Sequence, residues 1–145
     1  MTTTDLNLRP YEALVGTWAS RGRTVDGTAV EILGLDHYEW LAGGHFLVHK
    51  VLVRVGDDPV EALEVIGGHD PGTDTLAMRA FDNSGATTQM RTAVRDDGTF
   101  AFSGSTERTT LRVAEDGRTM AAHWERSEDG ATWRPWMDMS FTRLA

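Results

Sequence analysis

Asp-Gly dipeptides recur along this chain, and they constrain its fold more than any other feature. They stand at four positions, Asp26-Gly27, Asp97-Gly98, Asp116-Gly117 and Asp129-Gly130. Tight β-hairpins need a positive φ, which glycine adopts freely and aspartate tolerates. Further breaks occur at Gly43-Gly44, Gly56 to Pro59, Asp70 to Gly72 and Asn83 to Gly85. The short apolar-rich runs between these turns predict an antiparallel meander of strands.

Side chains between the turns alternate with the period of two that half-buried strands show. From His45 to Val55 the odd positions read His, Leu, His, Val, Val, Val, and we expect this set to face the core. The same test predicts further inward residues: Leu63 and Val65; Leu76, Met78 and Ala80; Met90 and Val94; Phe100 and Phe102; Leu111 and Val113; Met137, Met139 and Phe141.

Only the segment from Pro10 to Val15 is typical of a helix, with proline where a helix can begin. We count about ten strands, more than an open twisted sheet in so short a chain usually carries without curling. Closure removes the exposed edges. The prediction is therefore all-β: a single antiparallel up-and-down barrel domain over residues 1–145, with a short N-terminal helix. A two-sheet sandwich is the structural alternative.

Composition limits the classes of partner. The chain has no cysteine, so disulfides and thiolate metal sites are excluded. Its formal charge of −8 argues against nucleic acid and anionic membrane surfaces, which need a cationic face. The start shows no signal-peptide pattern, and runs such as Phe46-Leu47-Val48 are too short to span a membrane. We therefore expect a soluble, cytoplasmic protein.

Gly16-Thr17-Trp18 and Arg143 resemble the lipocalin (calycin) signature. The resemblance implies an indole at the closed end of the barrel with a basic residue of the last strand across it, where a guanidinium gains cation–π energy. More of the chain is similar to an uncharacterised bacterial family of single-domain lipocalin-like proteins. The matching stretches are Leu14 to Trp18, Leu41 to Leu47, Gly68 to Pro71, Phe81 to Gly85, Glu125 to Trp133 and Thr142-Arg143.

A related group of ten-stranded barrels binds haem through a histidine near its C-terminus. This sequence departs from that group, because no histidine lies on the final strand and Trp18 is followed by Ala19-Ser20-Arg21 instead of a glycine-spaced run. His123 is the only late histidine, so haem is disfavoured. We expect no cofactor and no metal. His45 and His49 lie roughly 13 Å apart along one strand, too far to share a zinc ion.

In two segments the sequence does not decide which polar side chains point into the barrel and which point to solvent. Either His37 or Tyr38 points inward, since a bulge at Gly34 would reverse the faces of that strand. The apolar set of the other segment favours Trp124 and Arg126 inward and His123 outward. A buried Arg126 would need a carboxylate such as Glu64 or Asp82, or an acidic ligand. The alternative places Arg126 in solvent at the barrel mouth.

These residues predict a protein that binds a small hydrophobic or amphipathic molecule inside the barrel. The predicted ligand-binding residues are Tyr38, His49, Met78, Met90, Phe102, Trp124, Arg126 and Met139. A second hypothesis is a cofactor-free isomerase or cyclase of secondary metabolism, with His49 or Tyr38 as acid or base. A haem protein using His123, and a filled barrel acting only by self-association, for instance as a homodimer, complete the alternatives.

Overall fold

The computed structural model describes residues 2–145, which form one closed antiparallel barrel of ten strands. Each strand pairs with the next in sequence, and β10 pairs back onto β1. The predicted up-and-down barrel is confirmed. A 3₁₀ helix, Arg9–Leu14, precedes strands β1 Gly16–Thr24, β2 Glu31–Trp40, β3 Leu47–Val55, β4 Asp58–Asp70, β5 Thr75–Asp82, β6 Thr87–Val94, β7 Phe100–Ser103, β8 Glu107–Val113, β9 Thr119–Arg126 and β10 Arg134–Arg143.

The Asp-Gly dipeptides all lie in connections between strands, as their chemistry predicts. Their glycines have φ values from 72° to 102°. In the Asp97 turn the carboxylate also accepts hydrogen bonds from the backbone and hydroxyl of Thr99, at 3.0 and 2.6 Å. Such local bonds hold the turn geometry and thereby fix the register of the strands that it joins.

The closed end of the barrel is built as the resemblance implied. Trp18 is fully buried, and its indole nitrogen donates a hydrogen bond of 2.9 Å to the carbonyl of Leu14. The Arg143 guanidinium carbon lies 4.2 Å from the centre of the Trp18 ring. Arg143 also donates to the carbonyls of Val15 at 2.5 Å and Gly117 at 2.9 Å. One side chain thus ties the helix, β1 and the turn before β9 together at the barrel floor.

One predicted inward face is wrong, and His45, also predicted to face the core, is exposed and lies before β3. In β4, Leu63 is 41% exposed on the outer wall, and Val65 shares its phase. The inward set of β4 is instead Val60, Ala62, Glu64 and Ile66. The prediction failed because it assigned the more apolar set to the core, whereas this strand carries a carboxylate inside and a leucine outside. Val94 is also more exposed than expected, at 37%, since it ends β6 beside a turn.

Gly34 does not bulge its strand: it pairs without a register shift with Ser20 on β1 and Val53 on β3. A Cβ at this position would come within 2.2 Å of the Leu52 carbonyl oxygen, so glycine permits a close approach of neighbouring backbones. The register shifts lie between Gly67 and His69 and between Pro135 and Met137. Within residues 2–145 no helix is long and apolar enough to cross a membrane.

Candidate functional site

A polar cluster lies inside the barrel on three neighbouring strands. Tyr38 on β2 and Glu64 on β4 are the direct cross-strand partners of His49 on β3. Regular pairing through Gly34 places Asp36 and Tyr38 on the inward phase, which resolves the choice between His37 and Tyr38 in favour of Tyr38. The Tyr38 and His49 rings stack at 3.9 Å between centroids with only 5° between their planes.

Hydrogen bonds occupy both nitrogens of the His49 ring. Nε2 lies 2.6 Å from Asp36 Oδ2, and Nδ1 lies 3.0 Å from Glu64 Oε1. The other oxygen of Asp36 accepts a hydrogen bond of 2.5 Å from the Ser20 hydroxyl. His49 therefore holds two carboxylates in place and has no nitrogen left to meet a ligand directly.

The two carboxylates keep His49 protonated. Burial by itself lowers the pKa of the imidazole, but the hydrogen bonds and negative charges of Asp36 and Glu64 outweigh it and raise the pKa to about 9. The three side chains are only 10%, 12% and 15% exposed, for Asp36, His49 and Glu64 respectively. With formal charges of −1 for Asp36, −1 for Glu64 and +1 for the protonated His49, the cluster carries one net negative charge.

Two polar atoms of the cluster stay free of protein partners. Across residues 2–145, the Tyr38 hydroxyl and the second oxygen of Glu64 make no hydrogen bond, and every fully buried polar side-chain atom has one. The Tyr38 hydroxyl and this Glu64 oxygen are therefore accessible to a water molecule or a ligand inside the barrel. Burial, together with the charges of Asp36 and Glu64, raises the pKa of Tyr38 well above its ordinary value, so its hydroxyl stays protonated at neutral pH.

Apolar side chains line the interior on other strands. Met78 and Met90 are cross-strand partners on β5 and β6, and they are 3% and 7% exposed. Phe102 on β7 and Met139 on β10 are buried on the same interior. Thioether chains adapt their shape to irregular apolar contacts. The structure thus places these four predicted ligand-binding residues on the barrel interior, with Met78 on the strand next to that of Glu64.

The open end holds the remaining predicted residues. Trp124 is half-buried and meets Trp136 edge to face at 6.0 Å between centroids. Arg126 is exposed, and its guanidinium carbon lies 3.4 Å from the centre of the Trp136 ring. Its cross-strand partner on β8 is Glu107. Burial raises the pKa of Glu107, and the charge of Arg126 lowers it by a smaller amount. The alternative position of Arg126, at the mouth, is the one observed. A depression of about 750 Å³ opens there.

His123 points away from the interior. It is 49% exposed and lies 2.6 Å from Asp138 on the outer surface of β9 and β10. His123 thus faces outward, as the alternation of this segment predicted. Within the described part of the chain, no group of three His, Cys, Asp or Glu side chains has a metal-binding arrangement.

Sequence reasoning missed Ser20 and Asp36, and it named Glu64 only as a partner for Arg126. The signal that could have found Asp36 is its spacing, two residues before Tyr38 and hence on the same face. Glu64 needed the register between β3 and β4, which sets it opposite His49. Alternation within β4 pointed the other way.

Comparisons with known proteins support the fold. No protein-family model matches the chain, and no curated protein matches it either. Among solved structures, Rv2717c from M. tuberculosis is similar at 17% identity and a TM-score of 0.72, over 97% of this chain and 99% of that one. The S-type phycobiliprotein lyase CPES from Guillardia theta is similar at 9% identity and 0.56, over 93% and 90%. A redesigned barrel, mFAP0, bound to DFHBI, is similar at 12% and 0.51, over 90% and 99%. At these identities the likeness shows a shared barrel fold, consistent with a lipocalin-like one.

Proposed function

We propose that the barrel binds a small amphipathic molecule. Its apolar body would lie against Met78, Met90, Phe102 and Met139, and its hydrogen-bond-donating head at Glu64 and Tyr38. The observation that carries the proposal is the polar cluster itself. A barrel that only needed to fold would fill its interior with apolar side chains, because buried charges are expensive. Polar anchors in an otherwise apolar interior are typical of ligand sites.

The free atoms of the cluster define the class of head group. The unpaired Glu64 oxygen is an acceptor, and the Tyr38 hydroxyl donates or accepts. The net negative charge of Asp36, His49 and Glu64 favours a cation and disfavours an anion. We therefore propose an amphipathic amine as the preferred ligand class, with a neutral alcohol as the weaker one.

The test compares three ligands with the same ten-carbon chain: decylamine, decanol and decanoate. Binding is followed by tryptophan fluorescence and by calorimetry. Because the head group is the only variable, we expect decylamine to bind about tenfold or more tighter than decanoate, which corresponds to roughly 1.4 kcal/mol. Equal or tighter binding of decanoate would overturn the proposed charge preference.

Glu64→Gln is the matched variant for the head-group contact. It keeps the shape of Glu64 and removes its charge, so decylamine should bind about tenfold weaker while decanol changes little. Glu125→Gln is the control, because Glu125 lies on the outside of β9 and pairs with Arg108 at 2.8 Å. A loss of decylamine affinity in the Glu125 variant equal to that in the Glu64 variant would place the binding outside the barrel.

The same atoms support a second candidate, a cofactor-free isomerase or cyclase. A carboxylate with one free oxygen, held by an imidazolium and lying near a neutral phenol, forms a base with one acid nearby. Glu64 would take a proton from carbon and return it to another atom of the same substrate, so atoms and charge balance without a co-reactant. Exchange of α-hydrogens of a bound ketone with deuterium oxide tests it, and Glu64→Gln should abolish that exchange.

Two similarities add support. One similar barrel is bound to DFHBI and another is a phycobiliprotein lyase, so small-molecule binding in a related scaffold fits this proposal. Kinship with the bacterial lipocalin-like family, which the motifs Gly16-Thr17-Trp18 and Thr142-Arg143 suggest, belongs to the same proposal. Site geometry carries more weight here, because a shared fold does not determine function.

A further inference from the structure

An apolar stripe crosses the outer wall of the barrel from β2 to β5. Its members are large side chains that point into solvent: Leu35, Leu52, Leu63 and Phe81, which are 41%, 58%, 41% and 50% exposed. We call these four residues the leucine stripe. Single exposed apolar residues are ordinary on a protein surface, but a contiguous set usually marks an interaction site.

The strand register shows that the stripe is continuous. Leu35 lies directly opposite Leu52 between β2 and β3, and Leu63 lies directly opposite Phe81 between β4 and β5. Leu52 and Leu63 are diagonal neighbours on β3 and β4, a separation that long side chains bridge. The four residues also line an open depression of about 630 Å³ on the outer wall.

Two opposite charges flank the centre of the stripe. Lys50 is paired with Leu63, and Glu61 is paired with Leu52, so the lysine and the glutamate lie on opposite sides of the Leu52–Leu63 diagonal. Lys50 is 59% exposed and lies 3.3 Å from Glu39. Throughout residues 2–145 the Glu61 carboxylate has no ion-pair partner.

This pattern is complementary to itself. Consider a second copy related to the first by a two-fold axis that lies between the two surfaces, parallel to the line from Leu52 to Leu63. This rotation places Leu52 against Leu52 of the second copy and Leu63 against Leu63. The same rotation carries each Lys50 across the axis to Glu61 of the second copy. Both charges are then matched and the apolar side chains are covered.

We propose that a second copy of this chain covers the leucine stripe, forming a two-fold symmetric dimer with two Lys50–Glu61 ion pairs. The chain's formal charge of −8 makes the overall field repulsive between copies. The two matched pairs offset that repulsion at the contact itself. The interiors of both barrels and their open ends stay accessible, so the proposal is independent of any ligand.

A charge exchange tests the axis. In the Lys50→Glu variant, the new glutamate lies opposite Glu61 of the second copy, and the two negative charges repel. In the Glu61→Lys variant, the new lysine lies opposite Lys50 of the second copy, and the two positive charges repel. Each single variant should raise the dimer dissociation constant about tenfold or more, and the double variant K50E/E61K should restore it, because the pair is then only reversed. Sedimentation velocity over a concentration series measures the constant, and thermal unfolding checks that each variant folds.

A single introduced cysteine gives a second, independent test, since the chain has none of its own. Leu52→Cys lies on the proposed axis, so a short bismaleimide should link it to its own copy. Arg112→Cys on the outer face of β8 is the control and should stay unlinked, because that residue is also well exposed, at 64% of its side chain. A wild-type protein that stays monomeric at every concentration, or a double variant as weak as the single ones, overturns the proposal.

Discussion

The wall of β2, β3 and β4 and the wall of β6 to β9 distribute their side chains in opposite ways. Across β6 to β9 the buried interior is mostly apolar, with Met90, Phe102, Leu111 and Met120 beside two threonines, Thr92 and Thr109, while the outer face carries charge. Across β2 to β4 the interior holds Asp36, Tyr38, His49 and Glu64, and the outer face holds leucines at 41–58% exposure. Both walls belong to one continuous sheet with the same hydrogen-bonding geometry.

This difference distinguishes side chains that stabilise the fold from side chains that do not. Apolar burial drives folding, so the β6 to β9 pattern contributes directly to stability. The β2 to β4 pattern places charge in the interior and apolar surface in water, and both placements oppose folding. Because these placements do not serve folding, we propose that the inner face of this wall serves ligand binding and its outer face self-association.

The largest expected effect comes from removing the histidine that joins the two interior carboxylates. His49→Ala leaves Asp36 and Glu64 facing each other without the imidazolium, which should lower the free energy of unfolding by about 4 kcal/mol. His123→Ala is the matched control, because His123 also lies 2.6 Å from an aspartate but on the exposed surface. Exposed pairs contribute about 0.5 kcal/mol. Urea denaturation measures both, and equal losses would contradict the contrast between the walls.

The next largest effect is a dependence on pH. The pKa of His49 rises from 6.5 to about 9 on folding, so the barrel holds this proton more tightly than the unfolded chain does. The resulting stabilisation is fully present below pH 6.5 and is lost as pH rises through about 9. This change in the pKa of His49 corresponds to about 3 kcal/mol in the free energy of unfolding. As the pH is raised from 6.5 to about 9, the urea denaturation midpoint of the wild type should fall. The midpoint of the His49→Gln variant should stay constant over the same range.

The smallest effect should come from the outer face of the same wall. Leu35→Gln removes an apolar side chain that is already 41% exposed, so the unfolding free energy of the monomer should change by less than about 0.5 kcal/mol. The measurement is urea denaturation at a concentration low enough to exclude dimers. Met78→Gln, on the inner face of β5, is the contrast and should cost about 3 kcal/mol, because it buries an amide among apolar side chains. A large loss from Leu35→Gln would mean that the outer leucines support the fold.

Most of the fold could be predicted from the sequence because turn chemistry is local. The Asp-Gly dipeptides mark strand ends, and Trp18 with Arg143 marks the floor. The site was harder, because alternation identifies the apolar face of a strand and assumes that it faces the core. Glu64 and Leu63 break that assumption, and Asp36 becomes significant only once register brings it to His49. Strand pairing is a long-range property that no single segment encodes.

The contact between β1 and β10 has a consequence for how the molecule reaches its final form. Arg143 hydrogen-bonds to the Val15 carbonyl across 128 residues of chain, whereas every other seam joins strands that follow each other directly. Nine of the ten strand pairs join strands that are consecutive in sequence and can form through local contacts. The tenth, between β1 and β10, needs the two ends of the chain to meet. We expect the edges of β1 and β10 to stay unpaired until then, and the rate at which Trp18 becomes buried should measure how quickly they pair.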